Sequence, residues 1–296
     1  MDRIDLHVHS IASDGTFSSR ELLAEAKRIN LTTIAITDHD CVDGLDEGII
    51  AASKLGIEFV PGVEITTLFE NKRIEILGYF IDPLNERLSE LLATMATSRA
   101  KRTPRILQRL EELGLPLTEK DLHLKTGEAL NTVSRSRIGR AMVEKGHVKN
   151  LQQAFDDYLA ESKPANVQMF LPDVRETIET IRLARGICVI PHSMGFWNKD
   201  LNALETAIKN LKKIGLQGIE VYYPYAVRYR GSRAISPEFV ENGTKVLEEL
   251  ARAENMTITG GTDFHGDVGR LGDINIPDGT MDRFRSHAES ILGKEL

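Results

Sequence analysis

The stretch IDLHVHSIASDG, from Ile4 to Gly15, sets two histidines two residues apart and an aspartate five residues beyond the second. Side chains alternate along a strand, so His7 and His9 share one face. That makes HxH a two-toothed chelate for a metal ion. The plain alternative is a pair of buried histidines bonded to their neighbours. The same two-apart geometry returns near the other end of the chain, where Asp263 and His265 sit in GGTDFH.

Other groups of the same chemistry end apolar runs. Asp38-His39 follows TTIAIT, Glu64 interrupts PGVEI, and His192 closes CVIPHS. Each has a bland reading: Asp38 as a helix cap, His192 as a structural histidine. Glu64 is harder to dismiss, because a buried carboxylate without a partner is costly and needs a cation or a proton. The conjunction decides. Four or five independent strand ends each carry a ligand type suited to Mn²⁺, Zn²⁺, Fe²⁺ or Mg²⁺, with no cysteine among them. Adding Asp14, the ligands exceed what one ion takes, and their clustered negative charge requires positive charge. The expectation is two or three divalent ions, Mn²⁺ first.

Such residues converge only if strands deliver them. Arg3–His9 alternates as a strand, Ser18–Asn30 reads as a helix capped by Ser18 or Ser19, and Thr32–Thr37 as a buried strand. Asp43–Leu55 reads as a helix stopped by Gly56, and Ile57–Val63 and Arg73–Phe80 as strands. Past Asp82-Pro83 the pattern turns helical from about Glu86 to Ser162. Alternation resumes with Val174–Ala184, Gly186–Ile190, Leu201–Ile214, Gly218–Tyr223, Pro237–Asn255 and Met256–Gly260. Strand–helix alternation argues for a parallel sheet or barrel with helices outside, whose C-terminal strand ends open on one face. The expected organisation is a barrel from 1–85 and 166–296 with a helical insertion over 86–165.

Charge is uneven. Ser98–Lys149 holds twelve Lys/Arg against six Asp/Glu, a local +6, which leaves −13 for the rest of a chain whose net charge is −7. An acidic body beside one basic segment suits cations in one place and an anionic ligand at the other, and argues against stable duplex DNA binding. A solvated basic helix face is the bland alternative. There is no apolar run of membrane-spanning length, the start MDRIDLHVH lacks an apolar signal region, and Cys41 and Cys188 form no disulfide pattern. The expectation is a cytoplasmic protein. No GxSxG, GxxxxGK[ST] or GxGxxG occurs. His123, His147 and His287 read as solvent-facing.

HxH followed by SDGTFS, then TDHD, PGVEI and GTDFHG in that order, resembles the PHP (polymerase and histidinol phosphatase) family over nearly the whole chain. The likeness is to stand-alone members with a helical insertion, which include 3′,5′-nucleoside bisphosphate phosphatases and exonucleases acting on short RNA. It implies an α/β fold, a distorted (β/α)7 barrel, and up to three ions. The family pattern gives one ion His7, His9, Glu64 and Asp263; a second shares Glu64 and takes His192; a third takes Asp14, His39 and His265. Glu75 stands where relatives carry a histidine ligand of the second ion, and a carboxylate there favours a harder ion. PHS, with Met194 following, replaces the family's AHP. In the insertion, Arg135 of SRSR matches a phosphate-contacting arginine, Arg137 replaces a histidine, and Lys163 is a further substrate candidate.

The resulting expectation is metal-dependent hydrolysis of a phosphate monoester, of a nucleotide first and of short oligonucleotide ends second. His192 or His265 would protonate the leaving oxygen and Arg135 would stabilise the transferring group. The alternatives are a non-nucleotide substrate such as histidinol phosphate, an amidohydrolase-like C–N hydrolase, and a metal-holding nucleotide sensor without turnover.

Overall fold

Ile4, Leu6 and Val8 alternate with polar residues in β1 (Ile4–Val8), yet all five positions are buried. The polar side of this strand therefore faces the protein's own interior and not water. The computed structural model describes residues 3–123, 133–197, 200–231, 234–266 and 268–293. Next comes α1 (Ser19–Arg28), fixed by a capping box in which the Ser18 hydroxyl accepts from the Glu21 N–H and the Glu21 carboxylate accepts from the Ser18 N–H. Strand β2 (Thr33–Ile36) is buried throughout, and α2 (Leu45–Leu55) ends at Gly56 in the left-handed conformation.

Strand β3 (Glu58–Phe69) runs well past the expected end at Val63 and returns directly into β4 (Lys72–Tyr79). The link is Glu70-Asn71, at φ of 50° and 63°. Positive φ at both central residues of a two-residue turn makes a tight hairpin. Two residues cannot make the crossover a parallel pair needs, so β4 runs antiparallel to β3. It is also antiparallel to β5 (Ile187–Ile190) on its other side. This antiparallel strand is where the sheet departs from the parallel order that strand–helix alternation implies. The other pairs, β1–β2, β2–β3, β5–β6 (Gly218–Tyr222) and β6–β7 (Thr257–Gly260), are parallel. The seven strands lie in chain order. Beyond β7, Phe264 bridges to Val8 and its carbonyl accepts from the His9 N–H at 2.9 Å, which brings the end of the series back to β1. The result is a distorted seven-stranded barrel.

The chain divides into two units, Met1–Ser89 with Pro172–Leu296, and Glu90–Leu171. Helix α3 (Glu86–Glu112) begins in the first and continues into the second. The second unit also holds α4 (Arg135–Glu144) and α5 (Leu151–Ala154), the latter running into a π turn. Its own apolar core includes Ile106, Leu110, Ile138, Met142 and Leu159. Residues 124–132, inside the stretch expected to be helical, lie outside the described residues.

The barrel unit continues with α6 (Val174–Leu183), α7 (Ser193–Phe196), α8 (Leu201–Lys213), α9 (Tyr225–Arg228), α10 (Pro237–Ala253) and α11 (Thr280–Leu292). The sequence reading assigned nothing after Gly260, although Met281, Phe284 and Ala288 recur at helical spacing. They are the buried face of α11. Phe284 packs against Tyr79 and Phe80 (ring centroids 5.3 and 5.1 Å apart) in a core shared with Leu6, Val60 and Val189. Among the described residues no helix is long and apolar enough to cross a membrane.

Candidate metal centre

Every strand from β1 to β7 delivers polar chemistry to one buried cluster. His7 lies on β1 and His9 just past it; His39 follows β2; Glu64 lies on β3, Glu75 on β4, and Glu220 on β6. His192 follows β5, and Asp263 and His265 follow β7. Asp14 joins from the loop after β1. His7, His9, Glu64 and Glu220 are fully buried. Two of the loop residues occupy strained left-handed backbone, His192 at φ 29° and Asp263 at φ 52°. Such conformations persist in side chains other than glycine where surrounding contacts over-determine them.

The ligand-type atoms form three overlapping groups, each spanning no more than 4.8 Å: His7, His9, Glu64 and Asp263; His9, Asp14, His39 and His265; and His39, Glu64 and Glu75. Any two groups share one residue: His9, Glu64 or His39. In the first, Glu64 Oε2 lies 3.2 Å from His7 Nε2 and 3.3 Å from His9 Nε2, and Asp263 Oδ1 lies 3.1 Å from His9 Nε2. In the second, Asp14 Oδ1 is 3.1 Å from His265 Nε2 and 4.0 Å from His39 Nε2. Beside the third, His192 Nε2 is 2.9 Å from Glu64 Oε1 and 3.6 Å from Glu75 Oε2. The structure thus brings together all nine residues expected to ligate, Glu75 included.

The charges interlock. Burial favours the protonated form of Glu64, but His39 and His7 outweigh it and hold the carboxyl well below its usual range. Burial is likewise overcome at Asp263, by the neighbouring imidazoles. Burial opposes charge on His7, yet Glu220 and Glu64 keep its pKa well above the ordinary value. In the same way Glu64 raises His192 to about 8, and Asp14 raises His265 to about 9. Burial, then Glu64, raises Glu75. His9 is the exception: burial, with His265 and His39 beside it, pulls it down to about 3.

His9 also tests whether a cation fits. It is neutral and fully buried, and neither ring nitrogen makes a hydrogen bond despite the nearby carboxylates. A buried, unsatisfied polar nitrogen costs about 1–3 kcal/mol. A divalent cation among His7, His9, Glu64 and Asp263 removes that cost and balances the carboxylates, so the residues present fit a metal ion.

Sequence reasoning missed four contributors. Glu220 Oε1 accepts from His7 Nδ1 at 2.8 Å, and its Oε2 accepts from the His192 backbone N–H at 2.8 Å. The signal was present, since GIEVYY puts a carboxylate inside an apolar strand as PGVEI does. Asp5 accepts from the Thr262 N–H and hydroxyl and from the Gly272 N–H, holding the loop that bears Asp263 and His265. The Tyr223 hydroxyl donates to Asp263 Oδ2 at 2.7 Å. Arg228 Nε donates to the same oxygen at 3.1 Å, and its Nη2 approaches His265 Nδ1 at 2.8 Å. No local pattern marks Tyr223 or Arg228. Asp38, read as a cap, instead accepts from the Ser10 N–H, the Ser10 hydroxyl and the Ser13 hydroxyl, tying down the loop that carries Asp14.

The three basic candidates belong to the helical unit. Arg135 opens α4, donates to the Leu159 carbonyl at 3.2 Å and lies 5.9 Å over the Phe155 ring. The Arg137 N–H is capped by the Ser134 hydroxyl. Lys163 is exposed and its N–H bonds the Ala160 carbonyl. His123 is exposed and pairs with Glu144. His147 bonds the Pro116 carbonyl and His287 is partly buried on α11, so neither is simply solvent-facing.

Residues 5–169 match the PHP domain family. The chain belongs to the PHP family. The match ends before β5, so His192, Asp263 and His265 lie beyond it. Among curated relatives, the 5′-3′ exoribonuclease of Haemophilus influenzae is 36% identical over 220 residues, covering 74% of this chain and 78% of the relative. The 3′,5′-nucleoside bisphosphate phosphatase of Chromobacterium violaceum is 32% identical over 221 residues, covering 75% and 77%. Among solved structures, a chain from Bifidobacterium adolescentis described as a metal-dependent phosphoesterase superposes with a TM-score of 0.79 at 28% identity, over 99% of both chains. A Chromobacterium violaceum protein described as an amidohydrolase, with bound sulfate, gives 0.79 at 26% identity, over 98% of this chain and 96% of that one. This PHP protein is a hydrolase of phosphoester bonds and depends on metal for that activity.

Proposed function

We propose that this PHP enzyme removes a phosphate from a nucleotide, of the 3′,5′-bisphosphate type first and from short oligonucleotide 5′ ends second. The observation that carries the reading is the sharing of one residue between any two of the three ligand groups, an arrangement suited to neighbouring cations facing one phosphate. His7, His9, Glu64 and Asp263 would hold one ion, Glu64, Glu75 and His192 a second, and Asp14, His39 and His265 a third. Mn²⁺ is our first assignment, because a carboxylate at position 75 suits a harder ion than an imidazole does. When bound, such ions would neutralise phosphate charge and lower the pKa of a bound water toward about 7.

The chain's own residues do the rest. Glu220, Asp5 and Asp38 hold the ligand-bearing segments still. Arg135 is assigned to the phosphate, Arg137 and Lys163 to the remainder of an anionic substrate, through the fork geometry and charge of their side chains. Whichever of His192 and His265 does not hold an ion would deliver the proton to the leaving oxygen. The nucleotide assignment draws on the named activities of the two curated relatives and on the local +6 of the helical stretch. We place the protein in a reducing cytoplasm, on its two free cysteines.

A C–N hydrolase is the second reading, favoured by the name of one structural relative. The test is a turnover screen of phosphate esters and amides with added Mn²⁺, alongside elemental analysis of the purified protein. Phosphate release from nucleotide bisphosphates, with metal bound, is the expected result. Amide cleavage without phosphate release would overturn it.

A further inference from the structure

We propose that Glu220 is a positioning residue that sets the tautomer of His7 and the backbone of His192 together, and thereby the cation affinity of the cage. The inference rests on the cage reading above.

Glu220 is fully buried on β6 and belongs to none of the three ligand groups found among the described residues. Its two oxygens are divided. Oε1 stands 2.8 Å from His7 Nδ1, and Oε2 accepts from the His192 N–H at 2.8 Å. A carboxylate at neutral pH only accepts, so the hydrogen between Glu220 and His7 is carried by Nδ1. A neutral His7 then presents a lone pair at Nε2. That nitrogen faces Glu64 Oε2 at 3.2 Å and Asp263 Oδ1 at 3.7 Å. Without a metal a proton on Nε2 meets those two carboxylates; because Glu220 engages Nδ1, Nε2 is the nitrogen that a cation among them would take. A carboxylate behind a ligating histidine tunes metal affinity in this general way.

The second oxygen acts on a different strand end. His192 sits at φ 29°, a conformation a side chain other than glycine resists. The bond from its N–H to Glu220 pins that turn, from which Nε2 reaches Glu64 Oε1 at 2.9 Å. One side chain thus orients a histidine of the first group and a histidine beside the third.

Glu220→Gln keeps the shape and removes one acceptor. If its oxygen turns to the His192 N–H, its amide faces His7 Nδ1, which must then accept and carry its hydrogen on Nε2. If the oxygen turns to His7, the amide opposes the His192 N–H and releases the turn. Either arrangement weakens the cage.

The experiment strips wild-type and Glu220→Gln proteins with chelator and titrates each with Mn²⁺ by calorimetry. The expected result is a 10–100-fold weaker affinity for at least one ion in Glu220→Gln. The chelated variant should remain folded, and activity should return at high Mn²⁺. Equal stoichiometry and affinity in the two proteins overturns the proposal. Wild type that takes up no cation sinks the cage reading instead. Should Glu220→Gln fail to fold, ¹H–¹⁵N NMR of Zn²⁺-loaded wild type decides: a hydrogen on His7 Nδ1 supports the proposal and one on Nε2 overturns it.

Discussion

His9 stacks on His265 with ring centroids 4.1 Å apart and an interplanar angle of 23°, yet neither nitrogen of the His9 ring has a hydrogen-bond partner. The two imidazoles stand in opposite states: His9 pulled down to about 3 by burial and its histidine neighbours, His265 raised against burial by Asp14 to about 9. Opposed charge preferences on two stacked imidazoles that both lie near Asp263 fit a cation at this corner.

Because His9 is assigned to the first ion and its ring also lies among the residues assigned to the third, His9→Ala should release bound metal and lower phosphate release by about 100-fold or more. Elemental analysis and a phosphate assay check this. Melting adds an independent readout. Wild type at a Mn²⁺ concentration of 100 times Kd should gain about 2.7 kcal/mol of stability, and His9→Ala much less. Full activity with full metal content in the variant contradicts the assignment.

Chelated protein should lose stability as pH rises from about 6.5 to 9. His192 and His265 are raised to about 8 and about 9 in the folded protein, against an ordinary 6.5 when unfolded. Between those values the folded state binds more protons than the unfolded one, so the slope of stability with pH is negative. Mn²⁺ affinity should rise over the same window, as departing protons free ligand nitrogens. Calorimetry in buffers of different ionisation enthalpy measures the protons released. No proton release on Mn²⁺ binding at pH 7 would remove the basis of this prediction.

Glu75 lies 3.6 Å from His192 and in a group with Glu64 and His39. Glu75→His should shift preference from Mn²⁺ toward Zn²⁺, since imidazole suits the softer ion. The readout is the ratio of the two affinities by competition. Glu75→Ala should lose an ion outright. An unchanged ratio and metal content in both variants would show that Glu75 is a bystander.

If Arg135 meets the substrate phosphate, Arg135→Ala should lower kcat/KM by about 10–100-fold, the scale of one lost charged hydrogen bond. Mn²⁺ content should not change. Arg137→Ala should alter the ratio of rates between nucleotides and a small phosphate ester such as p-nitrophenyl phosphate. Steady-state kinetics on the two substrates separates these roles from a contribution to folding. Loss of thermal stability in proportion to loss of rate would assign Arg135 instead to its bond with Leu159 and its place over Phe155.

Residue types and their order along the chain named most of the nine residues that the structure gathers in one cluster, because those close or interrupt a strand whose period is local; Asp14 lies in a loop beyond one, and Glu75 was named by the family resemblance. Period depends on neighbours a few residues away, which the sequence lays out directly. The helix over Thr280–Leu292 and the reversal at Glu70-Asn71 were written just as locally, in an apolar spacing and in a two-residue link. Glu220 was too, as an acid inside an apolar strand, but nothing near it in sequence names its partners. Those partners, His7 and His192, lie 213 and 28 residues away. Only tertiary structure decided that Glu64 faces four histidines, that any two ligand groups share a residue, and that Tyr223 and Arg228 reach Asp263. These facts depend on how seven strands are staggered and twisted against one another. A shift of one residue in any of them would turn a ligand to the other face of its strand.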